Sequence, residues 1–289
     1  MTFLCWRQEG SSRSTATMSL PLLPVELLDH IVDYLHDTRD ALKSCRLVSR
    51  SWAPRTRKHL FANVTFYDAK DLQSWKNMFP DPSTSPACYT KNLTIRCPKA
   101  VTSADLDAEE RGWIAAFSRV VHFDLNLRDA PEISLLPFHG FSPALKSLRT
   151  WYNYLPSSQI FDFINSFPLI EDLSLIVIGE SYPAIDDIDG QSAAPLPPLT
   201  GSLEIFSQGR MNSVVSRFFP PQNSLHFREL GLELVHQNDI LVISALVERC
   251  RFTLESLKVY SAPHCRFVRD LCTYRWLISI CRRTIVGPD

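Results

Sequence analysis

Apolar residues change their spacing along the chain. In Leu22-Leu23-Pro24-Val25-Glu26-Leu27-Leu28-Asp29-His30-Ile31-Val32-Asp33-Tyr34-Leu35 they recur at helical intervals. Leu28, Ile31, Val32 and Leu35 fall on one face, and Leu27 and Tyr34 widen it sideways. Pro24 suits a first helical turn, where a missing N–H costs nothing. Glu26 and Asp29 stand where the helix dipole favours negative charge. So wide an apolar arc needs cover on two sides. A second short helix is predicted from Asp40 to Val48, with Ala41, Leu42 and Cys45 apolar and Thr38 as N-cap. A third runs from about Ser51, its cap, to Leu60, with Pro54 tolerated in the first turn. Three helices over residues 22 to about 61 form a core that is marginal alone.

From residue 62 to 261 the pattern is a repeat, apolar-x-x-Leu-x-apolar. It stands out at Leu145/Leu148, Ile170/Leu173/Leu175, Phe227/Leu230/Leu232 and Leu254/Leu257/Val259, and more loosely at Leu93/Ile95, Phe123/Leu125 and Leu203/Ile205. The anchor positions 93, 123, 148, 173, 203, 230 and 257 are separated by 30, 25, 25, 30, 27 and 27 residues, around the period of leucine-rich repeats. Each unit starts as a strand: Val121, Phe123, Leu125 and Leu127 alternate with His122, Asp124, Asn126 and Arg128, and Leu173, Leu175 and Val177 alternate likewise. Helices follow some strands. Ser158 to Phe167 puts Ile160, Phe163, Ile164 and Phe167 on one face. Asn238 caps a helix with Ile240, Ile243, Leu246 and Cys250 inward and Arg249 near its end. Strand–helix alternation at this period predicts a parallel sheet lining a curved solenoid. An ordinary α/β domain with coincidental Leu-x-Leu strands is the rival, favoured by the irregular spacing, by Thr150 in an apolar slot and by the missing Asn/Cys ladder. Pro80 to Pro86 reads as a turn, and Gly179 to Gly201 as a longer, acidic, Pro-rich loop. Residues 262–289 break the pattern; Phe267, Leu271, Leu277 and Ile278 would line an amphipathic capping helix, or the segment is an atypical tail.

Composition narrows the chemistry. The 289 residues, 45% hydrophobic and 21% charged, suit about two globular domains. Nine glycines stand against 20 prolines, where average usage gives roughly 20 and 14. That disfavours folds that bring backbone close to phosphates through glycine. No Gly-x-Gly, P-loop, H-E-x-x-H or G-x-S-x-G is present. Asp186-Asp187-Ile188-Asp189-Gly190 fails as a calcium loop, since its first and bidentate ligands would be Ile185 and Leu196. His264, Cys265, Cys272 and Cys281 fit no compact zinc spacing. The eight cysteines include no C-x-x-C pair and read mostly as buried thiols. A net charge of −1 gives no field toward nucleic acid or an anionic membrane, and no run of 18 apolar residues is present. Residues 1–19 lack an apolar signal core and read as a disordered leader, with a transit peptide or a start at Met18 as alternatives. The sequons at Asn63 and Asn92 matter only in a secreted chain; otherwise they are chance occurrences in strand-rich segments. The expected location is cytoplasmic, nuclear or both.

The run Leu23-Pro24-x-Glu26-Leu27-Leu28-x-x-Ile31-x-x-x-Leu35, then Leu42, then Cys45-Arg46-Leu47-Val48-Ser49-Arg50-x-Trp52, resembles an F-box. With the repeats behind it, the chain is similar to fungal F-box proteins carrying irregular leucine-rich units. The expected fold class is therefore α/β: a small N-terminal three-helix F-box at 20–61, a leucine-rich-repeat-like solenoid with a curved parallel sheet at 62–261, and a cap or tail at 262–289. The resemblance implies docking on the Skp-type adaptor of a cullin–RING ubiquitin ligase. It assigns Leu23, Pro24, Leu27, Leu28, Ile31, Leu35, Leu47, Val48 and Trp52 to that contact. Trp52 is an interface anchor or a core residue holding the third helix. The basic residues Arg46, Arg50, Arg55, Arg57 and Lys58 read as a solvated face offset by Asp29, Asp33, Asp37 and Asp40. A target protein of unknown identity would meet the outward strand positions His122, Asp124, Asn126, Arg128, Arg149, Asp172, Glu233 and Lys258. No residue needs to do chemistry, and no cofactor or metal is expected. A non-ligase scaffold with an F-box-like helical cap, and an enzyme with an unrecognised site, are the rivals.

Overall fold

The computed structural model describes residues 24–96, 108–127, 135, 138–152, 157–177, 200–207, 215, 219, 225–234 and 239–261. The expected leader, Leu22, Leu23, Arg128, Asn238, most of the 179–201 loop and the 262–289 segment lie outside them. The chain divides into two compact units, Met1–Thr56 and Arg57–Asp289.

The first unit is helical. Helix α1 spans Val25–Tyr34 and α2 spans Arg39–Val48; a 3-10 turn, Arg50–Trp52, leads into α3, Ala53–Leu60, within which the division falls. Val32 from α1 and Leu42 and Cys45 from α2 are buried, with Leu28, Leu35 and Trp52 half-buried. The predicted arc of α1 thus turns only its Val32 edge fully inward. Thr38 holds the N-cap position of α2, but it is its carbonyl that accepts the Leu42 N–H, at 3.0 Å; the hydroxyl makes no cap bond. The capping residue farther along is Ser49 rather than Ser51: Ser49 Oγ accepts the Ser51 N–H at 3.2 Å. The 3-10 turn is what displaces the start of the third helix to Ala53, leaving Pro54 in its first turn, where a proline is tolerated. Thr56 is fully buried and donates back to the carbonyls of Trp52 and Ala53.

The second unit is an α/β layer. Eight strands, β1 (Asn63–Phe66), β2 (Asn92–Ile95), β3 (His122–Leu127), β4 (Ser147–Tyr152), β5 (Asp172–Val177), β6 (Ser202–Ser207), β7 (Glu229–Leu234) and β8 (Ser256–Ser261), form one parallel sheet in sequence order, with its two ends unjoined. The seven anchors read from the sequence lie side by side in register, and Val64 joins them as an eighth: Val64, Leu93, Phe123, Leu148, Leu173, Leu203, Leu230 and Leu257 make one row. Two residues on, Phe66, Ile95, Leu125, Thr150, Leu175, Ile205, Leu232 and Val259 make the next. Thr150 therefore does face the core; it is 2% exposed and its hydroxyl has no hydrogen-bond partner. The strand starts are tied by one recurring device. The amide before each strand donates to the carbonyl of its counterpart before the previous strand: Lys91 to Ala62, Val121 to Lys91, Lys146 to Val121, Glu171 to Lys146, Gly201 to Glu171, Arg228 to Gly201 and Glu255 to Arg228, at 2.7–3.0 Å.

Helices α4 (Ala69–Met78), α5 (Ala108–Ala115), α6 (Ser157–Asn165) and α7 (Asp239–Cys250) cover the face to which these rows point. Ile160, Phe163, Ile164 and Phe167 are buried, as are Ile240, Ile243, Leu246 and Cys250. Aromatic rings fill the space between: Phe123 lies 5.0 Å from Phe141, and Phe163 lies 5.1 Å from Phe167, both edge-on. The Pro80–Pro86 turn contains one 3-10 turn at Pro82–Thr84, followed by a second at Pro86–Tyr89 whose Pro86 and Ala87 are buried. Asn63 and Asn92, the two sequon residues, are exposed at the starts of β1 and β2, where their side-chain amides bond to each other.

Candidate interaction surfaces

In the helical unit the apolar residues left outside are the informative ones. Leu27 and Ile31 are 49% and 42% exposed, Pro24 is exposed, and Leu47 and Val48 at the end of α2 are 87% and 70% exposed. Leu27, Ile31 and Tyr34 follow helical spacing and so occupy one side of α1. Of the residues assigned to an adaptor contact, Pro24, Leu27, Ile31, Leu47 and Val48 are solvent-facing; Leu28, Leu35 and Trp52 are half-buried; Leu23 lies outside the described residues. The basic cluster contains a residue with a structural role that spacing did not reveal. Arg55 donates its Nε to Asp33 at 2.6 Å and a terminal nitrogen to the other oxygen, with Asp29 at 4.0 Å. The hydrogen bond to Asp33, ahead of the charge of Asp33 and Asp29, raises the Arg55 guanidinium above its ordinary value. A forked contact of this kind ties α3 to α1.

The face of the sheet away from the helices carries three rows. The first runs Asn63, Asn92, His122, Ser147, Asp172, Ser202, Glu229, Ser256, and the second Thr65, Thr94, Asp124, Arg149, Ser174, Glu204, Gly231, Lys258. Much of their polarity is engaged between neighbours. Asp172 accepts from the Ser202 amide and hydroxyl at 2.7 and 2.9 Å, Glu204 accepts from Ser174, and Lys258 meets Glu229 at 3.4 Å. His122 is exposed, and Arg149 stands in register beside Asp124.

The third row differs. Tyr67, Arg96, Asn126, Trp151, Ile176, Phe206, Glu233 and Tyr260 stand at its positions, each three residues past an anchor, with Arg96 stacked over the Tyr67 ring. Ile176 is only 6% exposed although it points away from the helical core, and Trp151 and Phe206 flank it on the adjacent strands. Arg149 lies over the Trp151 ring, 5.4 Å from its centroid. Phe206 and Tyr260 are two strands apart, yet their centroids are 5.2 Å apart. Gly231 clears the way between them: a Cβ there would sit 3.1 Å from Glu204 Cγ and 3.6 Å from Tyr260 Cε2. Two carboxyls on this face are held above their ordinary range. Burial raises Asp124 against the opposing pull of Arg149, Arg96 and a hydrogen bond from Trp151, and burial alone raises Glu233. Glu233 has no hydrogen bond or ion pair among the described residues. The expected surface residues are thus distributed over three rows: His122 and Asp172 in the first, Asp124, Arg149 and Lys258 in the second, Asn126 and Glu233 in the third, with Arg128 outside the described residues. The apolar members of the third row were not foreseen; the recurring third position after each anchor is the signal that points to them.

Among the described residues no group of three His, Cys, Asp or Glu is placed to hold a metal ion, and no helix is long and apolar enough to cross a membrane. The three described cysteines, Cys45, Cys88 and Cys250, are free thiols. Residues 20–66 match the F-box-like family, and the chain carries an F-box-like domain over that span, reaching the end of β1. Neither a curated protein nor a solved structure matches the chain. F-box-like domains generally bind Skp-type adaptors, and a domain of this kind over residues 20–66 suggests a protein-interaction adaptor.

Proposed function

We propose that the chain is the target-recruiting subunit of an SCF-type cullin–RING ubiquitin ligase, its F-box-like domain docked on the Skp-type adaptor and its sheet unit holding a target protein. The observation that carries this reading is the exposed apolar set of the matched domain: Leu27, Ile31, Leu47 and Val48 are left open to solvent, where a partner's apolar groove would cover them. The sheet unit reads as an irregular leucine-rich-repeat-like solenoid, because eight sequence-ordered parallel strands share one anchor row and one recurring bond at their starts. The subunit works without catalysis of its own, raising the effective concentration of target lysines near the charged E2 enzyme. Its place of action is the cytoplasm, the nucleus or both.

Co-purification of the full chain with a Skp-type adaptor tests this. Wild type is expected to bind, and the double variant Leu27→Asp, Ile31→Asp to lose binding while keeping its circular dichroism spectrum. Failure of wild type to bind, or binding by the double variant at wild-type strength, ends the ligase reading. A chain that binds the adaptor but promotes no ubiquitin transfer in a reconstituted ligase is a scaffold instead.

A further inference from the structure

The outer face of the sheet holds one place where apolar surface and an unanswered charge lie together. Ile176 forms a floor between Trp151 and Phe206, and on the far side of Phe206 the half-buried Glu233 carboxylate stands beside the exposed Tyr260 ring. The charges around it are unequal. Among the described outward residues of β3–β8, Asp124, Asp172, Glu204, Glu229 and Glu233 are acidic, and only Arg149 and Lys258 are basic. Both cations already have neighbours, Arg149 on Trp151 next to Asp124, and Lys258 on Glu229. Asp172 and Glu204 accept from serines. Glu233 is left, partly removed from water and facing no cation among the described residues. A carboxylate in that state gains most from a cation brought by a partner, and the Tyr260 face beside it offers the same cation a second attraction.

We infer that this row binds an extended segment of a target protein in which a large apolar side chain seats between the half-buried Trp151 and Phe206 rings, and a lysine or arginine reaches Glu233 and Tyr260. The inference deepens the functional reading above and rests on the sheet unit being the part that receives the target. The spacing follows from the sheet. Ile176 and Glu233 lie on β5 and β7, two strands apart, roughly 10 Å at about 4.8 Å per strand. An extended peptide in the polyproline-II form rises roughly 3.1 Å per residue and returns its side chains to the same side every third residue, so about three residues cross that distance with both side chains facing the sheet. The recognised pattern is therefore an apolar residue and a basic residue three positions apart. Nucleic acid and anionic lipid are disfavoured here by the acidic balance.

Panning a display library of random twelve-residue peptides on the full chain tests it, with Glu233→Gln and Glu233→Lys panned in parallel. On wild type, Lys or Arg three positions from Trp, Phe or Leu is expected to be enriched about threefold or more, the size of one partly desolvated charge pair. Glu233→Gln, nearly the same shape, is expected to lose the preference for the basic residue, and Glu233→Lys to replace it with Asp or Glu. No positional preference on wild type, or the same preference on Glu233→Lys, overturns the inference. Adaptor co-purification of the same proteins separates the two readings. Adaptor binding without the peptide preference sinks this inference alone; the peptide preference without adaptor binding sinks the ligase reading and leaves the site standing.

Discussion

In the helical unit, Val32, Leu42 and Cys45 are the buried apolar residues among those described, while Leu27, Ile31, Tyr34, Leu47 and Val48 face solvent. In the sheet unit the proportions reverse: two rows of strand residues, all but the exposed Val259 at the sheet's end, and the inner faces of four helices close over one aromatic-rich core. A unit with so little inside keeps its shape partly through polar ties such as Arg55–Asp33, and leaves apolar surface open to solvent. A unit with so much inside can present polar and aromatic side chains outward without being held together by them. The exposed apolar residues of the first unit and the outward row of the second therefore ask for different tests.

The largest expected effect lies in the sheet core. Phe163→Ala removes a fully buried ring that touches Phe123 and Phe167. It is expected to cost about 3–5 kcal/mol, read from the denaturant midpoint of the sheet unit's tryptophans. Leu42→Ala in the helical unit is expected to cost less, about 2–3 kcal/mol, because a thin core collapses around the gap more readily. Equal costs for the two would break the comparison. Thr150→Val is expected to stabilise by about 1 kcal/mol, since it replaces a buried hydroxyl without a partner by a methyl of the same shape. Arg55→Ala is expected to cost about 0.5–1 kcal/mol and to be felt less at high salt; no change in the thermal midpoint would show that α3 does not need the tie. The smallest effect is a pH dependence at Glu233. Burial raises this carboxyl in the folded chain above its ordinary value of 4.5. Its contribution to stability is thus whole at pH below that value and is lost as pH rises through the folded pKa. Glu233→Gln should therefore raise the melting temperature slightly at pH 7 and leave it unchanged near pH 3; a gain of equal size at both would exclude the titration as its cause.

Much of this was legible in the residues because period and burial coincide. Leu42 and Cys45 announce the inward side of α2, and the Leu-x-Leu anchors announce the strands, since an anchored alternation has one way to place its apolar side inward. Val64 and β1 escaped because Asn63-Val64-Thr65-Phe66 lacks the leucine that marks its relatives. Helix α4 escaped because its inward residues, Leu72 and Trp75, form too short a stripe in a polar segment. The outward row was the harder case. Leu175-Ile176-Val177 is apolar on both sides of the sheet, so alternation cannot say that Ile176 belongs to a surface. Only register, which places Trp151, Ile176 and Phe206 side by side, shows that three unremarkable residues share one place. The Arg55–Asp33 contact depends on a helix-to-helix approach that no local spacing encodes.

The strand order has a consequence for how the sheet unit comes into being. Each strand pairs only with the strands next to it in the chain, so every pairing closes a loop of about one unit's length, and none waits for distant parts of the sequence to meet. Folding can then start at any adjacent pair and spread in both directions, one strand at a time, with loop-closure entropy kept small at each step. Unfolding runs along the same line in reverse. Amide exchange should therefore be slowest in the strands between Phe123 and Leu203, which lie farthest from the two edges, and quicken toward either edge of the row.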